Sequence, residues 1–348
     1  MEPNPANQLS EISLDDILEQ TAKEYIARWQ EEGMNEDDLI KRLQQNIPSA
    51  YQKVIEHASS DYLNYIKGHF YEISAQYRQD DNVFLSHQDQ KWGRCFAASE
   101  AMYQLVIEIA EEYTHYVAEK VSENVRVKHQ NVYGALVHIH GRVCQIYLEI
   151  LCLIKNGFAD AATARWRTMY ELCYIADFIK AAGEETAKAF LSQSNSSDQS
   201  QTWAINAPQI LARYSKAIER KHSKGEEFVP NLGQIRECCD FTKRWAQQYK
   251  IGCFTNHASP QGTLGRVANA TGIRNMIAVG KSDYGIVEPA VDSASVLSIV
   301  TSLFVTIYPN AEGIARSNML TGWASVIREM YLTADREIFK ELYDKEDE

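Results

Sequence analysis

Arg167 and Glu171 are the residues whose types and spacing most directly suggest chemistry. They lie four residues apart in the segment ATARWRTMYELCYIADFI, and on a helix this spacing places two side chains on one face. Tyr174 falls near the same face one turn later. Two interpretations stay open. The pair is either an ordinary surface ion pair worth roughly 0.3–0.5 kcal/mol, or a partly buried pair facing a pocket, where Arg167 binds an anion and Glu171 orients it.

His257 is the second candidate, and it lies in the segment TNHASPQG. An imidazole suits general acid–base catalysis because its pKa lies near neutrality. The open alternative is a loop histidine whose ring is hydrogen-bonded to the backbone. His257 is therefore a candidate catalytic residue beside Arg167 and Glu171.

The segment Gly280-Lys281-Ser282 has the residue order that ends a phosphate-binding P-loop. Such a loop also carries a glycine five residues before Gly280, but Asn275 occupies that position. No strand is predicted before the segment either. A P-loop is therefore excluded.

Metal-binding and other catalytic patterns are incomplete. Glu112-x-x-His115 matches half of the dimetal site of a helical bundle, and the second copy is missing. His138 and His140 are two residues apart, so on a helix they point in different directions, and we expect core or boundary histidines. The spaced Arg…His signature of many helical bacterial nucleases and the G-x-S-x-G serine motif are both absent from the sequence. The sequence indicates no metal site.

The elements that must position these residues are predicted to be helices. Apolar residues recur at three- and four-residue steps nearly throughout, and no strand alternation persists. The predicted fold is all-α, a bundle of long helices with one long ordered Gly/Pro-rich loop region over 253–292. We expect this loop region to close over Arg167 and Glu171. The clearest helices are predicted over 132–155, 158–180, 208–221, 293–307 and 313–333.

The charge distribution suggests an acidic N-terminal helical region over 1–80 and a helical core domain over 81–348. The net charge is −12, and residues 1–50 hold 11 acidic and 4 basic residues. The segment from Asp335 onward holds 7 acidic and 3 basic residues, which leaves the middle of the chain near neutral. A near-neutral body has no global field to attract nucleic acid, although a local basic groove is allowed. Nucleic-acid binding stays open.

Cysteine usage and the termini point to the cytoplasm. The 7 cysteines are odd in number and form no C-x-x-C pattern, as in a protein with reduced thiols. The N-terminus is acidic and polar, unlike a signal peptide. The most apolar stretch, 143–154, is short and contains Gln145 and Glu149, so we expect no membrane span.

The run ARWRTMYELCYIADFIKAAGEETAKAF resembles the signature helix of an uncharacterised bacterial family of all-helical proteins, a domain of unknown function. Members resemble this chain in an A-R-W-R-T-x-x-E helix, an H-A-x-P-like loop and a G-x-S-x-x-G-x-x-x-P segment, which here correspond to 165–171, 256–260 and 280–289. The similarity spans about residues 90–310. It implies that a common pocket contains Arg167, Glu171, His257 and Ser282, with Lys281 and Tyr174 as further ligand-binding candidates.

This chain departs from the family pattern at two places. Tyr170 stands where members often have histidine, and the polar stretch 192–201 replaces a segment that is usually charged. If catalysis in the family uses those groups, this chain is inactive or chemically different.

Two functional hypotheses follow. In the first, the protein is a bacterial anti-phage defence or toxin-type effector acting on a phosphate-bearing ligand, a nucleotide or nucleic acid, as its resemblance to effectors of bacterial immunity suggests. Arg167 would bind the anion, Glu171 would orient Arg167 or a water, and His257 would act as general acid and base. In the second, it is a non-catalytic helical interaction or regulatory protein, whose partner is a protein of the same defence operon or a second copy. The sequence leaves the substrate, any cofactor and the question of catalysis open.

Overall fold

The computed structural model describes residues 14–197, 200–256, 260–265 and 279–340. These residues form helices joined by turns, and none of them lies in a β-strand. The predicted all-α fold is therefore confirmed.

Twelve helices follow one another along the described part of the chain. The first six are α1 (Leu14–Glu31), α2 (Glu36–Lys120), α3 (Glu123–Val127), α4 (Gln130–Lys155), α5 (Ala159–Ala182) and α6 (Glu184–Gln193). The remaining six are α7 (Pro208–His222), α8 (Leu232–Arg236), α9 (Ala246–Asn256), α10 (Pro260–Leu264), α11 (Val287–Val305) and α12 (Ala311–Ile338). Short 3-10 helices lie at Thr202–Ala204 and Asp240–Trp245.

The chain divides into two compact units, Met1–Ser86 and His87–Glu348. In the first unit, the buried Trp29 of α1 lies under the Arg42 guanidinium of α2, 5.3 Å from the ring centre. Helix α2 departs from helical backbone angles at His69, where φ is −125° and ψ is 15°. In the second unit, α4, α5, α11 and α12 pack against one another around the core.

Helix α5 passes through this core, and its buried side determines where its polar side lies. Trp166, Tyr170 and Phe178 of α5 are almost completely excluded from solvent. Aromatic burial of this kind contributes most of the packing energy of a helical core. The turn before α5 contains Gly157 with φ of +76°, a left-handed conformation that glycine adopts without strain. Gly183, with φ of +89°, ends the helix.

The start of α4 is tied to α6 by a carboxylate. The Glu184 side chain accepts hydrogen bonds from the backbone N–H groups of Asn131 and Val132, both at 2.9 Å. A carboxylate is stabilising there because the first N–H groups of a helix lack partners within the helix. This cap joins the helices that precede and follow α5.

The predicted loop region 253–292 is shorter than expected at both ends. Helix α9 continues to Asn256, and α11 begins at Val287 instead of near residue 293. Pro289 suggested a loop, but it occupies the first turn of α11, where a proline leaves no helical hydrogen bond unmade. Residues 260–264 form the short α10.

Two helices, α4 and α11, are long and apolar enough to cross a membrane by length and composition alone. Half of the apolar window of α4 and 67% of that of α11 are buried inside the protein. The core helices of soluble proteins meet the same test, so this finding is weak evidence for a membrane span.

Candidate functional site

Arg167 and Glu171 form the ion pair that their spacing predicts. The Arg167 Nη2 atom lies 3.0 Å from Glu171 Oε1, and the two side chains are 20% and 17% exposed. A pair with this burial is neither fully solvated nor sealed in the core. Of the two interpretations drawn from the sequence, the geometry therefore matches the partly buried pair.

Helix α9 brings a third group to this pair. The Tyr249 hydroxyl donates a hydrogen bond to Glu171 Oε1 at 2.9 Å. The Arg167 guanidinium carbon lies 5.5 Å from the centre of the Tyr249 ring, and that of Arg236 lies 4.6 Å from it. Both distances are within the range of a cation–π interaction. Two arginines and one carboxylate thus meet around a single tyrosine.

A glycine allows α9 to approach α5 closely. A Cβ atom added to Gly252 would lie 3.1 Å from the Arg167 Cβ and 3.3 Å from the Thr163 carbonyl oxygen. The cover over Arg167 is therefore a helix placed by a small residue. Residues 253–256 of the predicted loop region 253–292 belong to this helix, and cover of the ion pair by the rest of that region stays a prediction.

Tyr174 lies one turn beyond Glu171 on α5, as its spacing predicts, but it is completely buried. Its ring packs edge-on against Tyr170, with centroids 5.5 Å apart. Its hydroxyl has no hydrogen-bond partner among the residues that the structure describes, and neither does the buried Arg167 Nε atom. Buried polar atoms usually have a partner, so two unpaired donors at one site need an explanation.

Burial, followed by the charge of Glu171, raises the pKa values of both tyrosine hydroxyls of the site. Burial and then the Glu171 carboxylate raise the pKa of Tyr174. Burial and Glu171 also raise the pKa of Tyr249, while Arg167 acts in the opposite direction. Burial lowers the pKa of Arg167, but its hydrogen bond with Tyr249 and the charge of Glu171 more than offset this, and the pKa is raised. The site therefore offers hydrogen-bond donors and a permanent cation.

Lys281 and Ser282 lie at the beginning of α5. The Ser282 backbone N–H donates to the Gly157 carbonyl at 3.0 Å, and the Lys281 ammonium lies 5.9 Å from the Phe158 ring centre. Helix α5 begins at Ala159, which is eight residues or about 12 Å along the axis before Arg167. The contacts place these two residues at the turn between α4 and α5, one end of the helix that carries the ion pair.

His257 lies outside the described residues, so its role and its proximity to Arg167 stay predictions. Tyr249 and Arg236 were not identified from the sequence. Neither shares a helix with Arg167, and no local spacing connects them to it. Among the residues that the structure describes, no group of three His, Cys, Asp or Glu side chains could bind a metal ion.

The site lies inside a segment that matches a known family profile. Residues 133–272 match the model of DUF5677, described as a family of unknown function. The DUF5677 segment includes Arg167, Glu171, Tyr174, Arg236 and Tyr249, and it ends before Lys281. No curated protein and no solved structure matches the chain. The expected resemblance to a domain of unknown function is thus confirmed for these residues.

Proposed function

We propose that the protein is a bacterial anti-phage defence or toxin-type effector that acts on a phosphate-bearing ligand, a nucleotide or nucleic acid, at the site around Arg167. The observation that carries this proposal is the meeting of Arg167 and Arg236 at the Tyr249 ring, where Glu171 pairs with Arg167 and accepts a hydrogen bond from Tyr249. Guanidinium groups bind phosphate oxygens with paired, charge-assisted hydrogen bonds.

The unpaired donors of the site support the same ligand class. Arg167 Nε and the Tyr174 hydroxyl are both buried without a partner in the described part of the chain. A phosphate oxygen is an acceptor that satisfies donors of this kind. In this proposal Arg167 binds the phosphate and Glu171 orients the Arg167 side chain or a water. His257 is retained from the sequence as the general acid and base.

The defence or toxin role rests on the resemblance of the α5 sequence to bacterial proteins of phage immunity. A growth experiment tests it directly. Wild type, an Arg167→Ala/His257→Ala double variant and Arg165→Ala are induced in a bacterial host at matched soluble expression. Arg165 is a suitable control because it lies on the same helix and pairs with Glu149 instead of with the site residues.

The proposal predicts that wild type and Arg165→Ala arrest growth, while the double variant does not. Equal arrest by all three proteins would contradict a role for the site. If wild type does not arrest growth, the experiment is repeated during phage infection. Equal phage sensitivity of cells with wild type and cells with the double variant would then reject the effector role.

A second function is favoured by the surface of the smaller unit. Five large apolar side chains of α2 there are at least half exposed: Ile40, Leu63, Phe70, Tyr71 and Tyr77. Exposed apolar clusters are typical of surfaces that bind another protein. The alternative is therefore a non-catalytic interaction or regulatory protein that binds a partner from the same operon or a second copy. It predicts that Leu63→Ser/Phe70→Ser abolishes the complex, which is measured by co-purification for a partner protein and by analytical ultracentrifugation for a homodimer. Arg167→Ala is expected to leave the complex intact.

A further inference from the structure

Helix α7 and the turn that follows it carry a row of exposed cations that the site around Arg167 does not use. Lys216, Arg220 and Lys224 follow one another at four-residue intervals, and all three are exposed. None of them pairs with a carboxylate of the described residues. One helical turn separates Lys216 from Arg220, about 6 Å along the axis.

The charge of this helix differs from that of the whole chain. Residues Pro208–His222 contain four basic residues, Arg213, Lys216, Arg220 and Lys221, against the single acidic Glu219, a net of +3. The chain as a whole has a net charge of −12. Favourable interaction with the helix macrodipole explains cations in the last turn only. It does not account for Lys216, which precedes that turn.

Contacts lead from this row of cations to the candidate site. Arg213 lies 3.7 Å from the Glu237 carboxylate, which also accepts a 2.7 Å hydrogen bond from the Tyr214 hydroxyl. Glu237 directly follows Arg236, whose guanidinium lies over Tyr249. Helix α7 is thus fixed beside the segment that supplies the second arginine of the site.

We propose that α7 binds the phosphodiester backbone of a nucleic-acid strand whose neighbouring phosphate reaches Arg167 and Arg236. A chain of phosphates can contact successive cations along α7 and still enter the site, whereas a single mononucleotide cannot span both. Electrostatic contacts of this kind place a strand without reading its sequence. The inference rests on the proposed function because it specifies nucleic acid as the phosphate-bearing ligand.

Fluorescence anisotropy with labelled 20-nucleotide probes tests this proposal. The probes are single-stranded DNA, single-stranded RNA and a DNA duplex, each titrated from low to physiological salt. The test variant is Lys216→Glu/Arg220→Glu/Lys224→Glu. The matched control, Lys120→Glu/Lys128→Glu/Lys188→Glu, has the same change in net charge at exposed positions on other helices and turns. A milder Lys216→Gln/Arg220→Gln/Lys224→Gln variant is included in case charge reversal impairs folding, which circular dichroism reports.

The α7 glutamate variant is expected to bind at least one probe about tenfold more weakly than wild type, and the control less than about twofold. Loss of three phosphate contacts also reduces the slope of log affinity against log salt by about 2. Equal weakening by the α7 variant and the control, or no binding of any probe by wild type at low salt, would overturn the proposal. If the α7 variant binds every strand probe as tightly as wild type, while Arg167→Ala loses binding of the strands and of a mononucleotide, only the strand proposal fails. If neither Arg167 nor α7 variants change any binding, the proposed function fails with it.

Discussion

Two polar clusters of the larger unit differ in their access to solvent. Around Arg167, Glu171 and Tyr249, the charged side chains stay partly exposed. Between α4 and α11, His140 is buried and its Nε2 atom lies 3.1 Å from the Thr301 hydroxyl. Burial there lowers the pKa of His140 to about 4, so the ring is neutral.

This difference separates a structural polar contact from a candidate site. A buried cluster is stable when it is neutral and its hydrogen bonds are satisfied, because desolvation of a charge is costly. The cluster around Arg167 retains a permanent cation and two unpaired buried donors. A site that binds an external anion needs a positive charge and donors that are free to bind it. A polar contact that only stabilises the fold needs neither.

The largest expected effect concerns the pH dependence of the buried cluster. The pKa of His140 is about 4 in the folded protein, below its ordinary value of 6.5. Between pH 4 and pH 6.5, the His140 ring binds a proton in the unfolded chain but not in the folded protein. Acidification therefore lowers the free energy of unfolding. We expect His140 to reduce the free energy of unfolding by up to about 3 kcal/mol as the pH falls from 6.5 to 4. Chemical denaturation of wild type and His140→Gln across this range measures the effect.

A second, partly buried group titrates in the same window with the opposite sign. Burial raises the pKa of Asp292 to about 6, and its carboxylate accepts a 2.8 Å hydrogen bond from Trp245 Nε1. Its contribution to stability is present at low pH and is lost as the pH rises toward 6. Asp292→Asn should therefore steepen the loss of stability on acidification, while His140→Gln should reduce it. Parallel pH curves for wild type and both variants would contradict these assignments.

The next effect sharpens the distinction between binding and stability. Tyr249→Phe removes the hydroxyl that orients Glu171. Affinity for a phosphate-bearing ligand should therefore fall about fivefold, because a net hydrogen bond contributes about 1 kcal/mol. The control is Tyr147→Phe, since the buried Tyr147 hydroxyl donates to the Ser99 carbonyl at 3.0 Å, away from the site. The control should lose a similar free energy of unfolding without any change in affinity, as calorimetry would show. Unchanged affinity in Tyr249→Phe would remove this tyrosine from the site.

The smallest effect tests the close approach of α9 to α5. Alanine at Gly252 would contact the backbone oxygen of Thr163 and the Cβ of Arg167, neither of which can rotate away. We expect Gly252→Ala to lower the free energy of unfolding by about 1 kcal/mol, despite the better helix propensity of alanine. The exposed Gly141 has no atom within 4 Å of an added Cβ, so Gly141→Ala should stabilise the protein by about 0.5–1 kcal/mol. Equal stabilisation by both substitutions in thermal unfolding would contradict the close contact.

Local sequence signals predict the helices that carry the site. Helix α5 was expected over 158–180 and extends over Ala159–Ala182, and α7 was expected over 208–221 and extends over Pro208–His222. Glycines and a proline mark these ends, and their effects depend only on neighbouring residues. The spacing of Arg167 and Glu171 likewise predicts their contact, because both belong to one helix.

The remaining features of the site depend on contacts between distant segments. Tyr249 and Arg236 reach Arg167 through the packing of α8 and α9 on α5, which no local pattern encodes.

The two histidines of α4 show the same limit of prediction from local sequence. Both were expected at core or boundary positions, but His140 is buried against Thr301 while His138 is exposed.

The most direct test of the site is isothermal titration calorimetry of wild type, Arg167→Ala and Arg165→Ala. Each protein is titrated with nucleoside mono-, di- and triphosphates and with short oligonucleotides. The account predicts that wild type and Arg165→Ala bind at least one of these ligands equally well, and that Arg167→Ala binds it at least about tenfold more weakly, as expected for loss of a charge-assisted contact. Equal affinity of the two arginine variants, or no binding of any of these ligands by wild type, would contradict it.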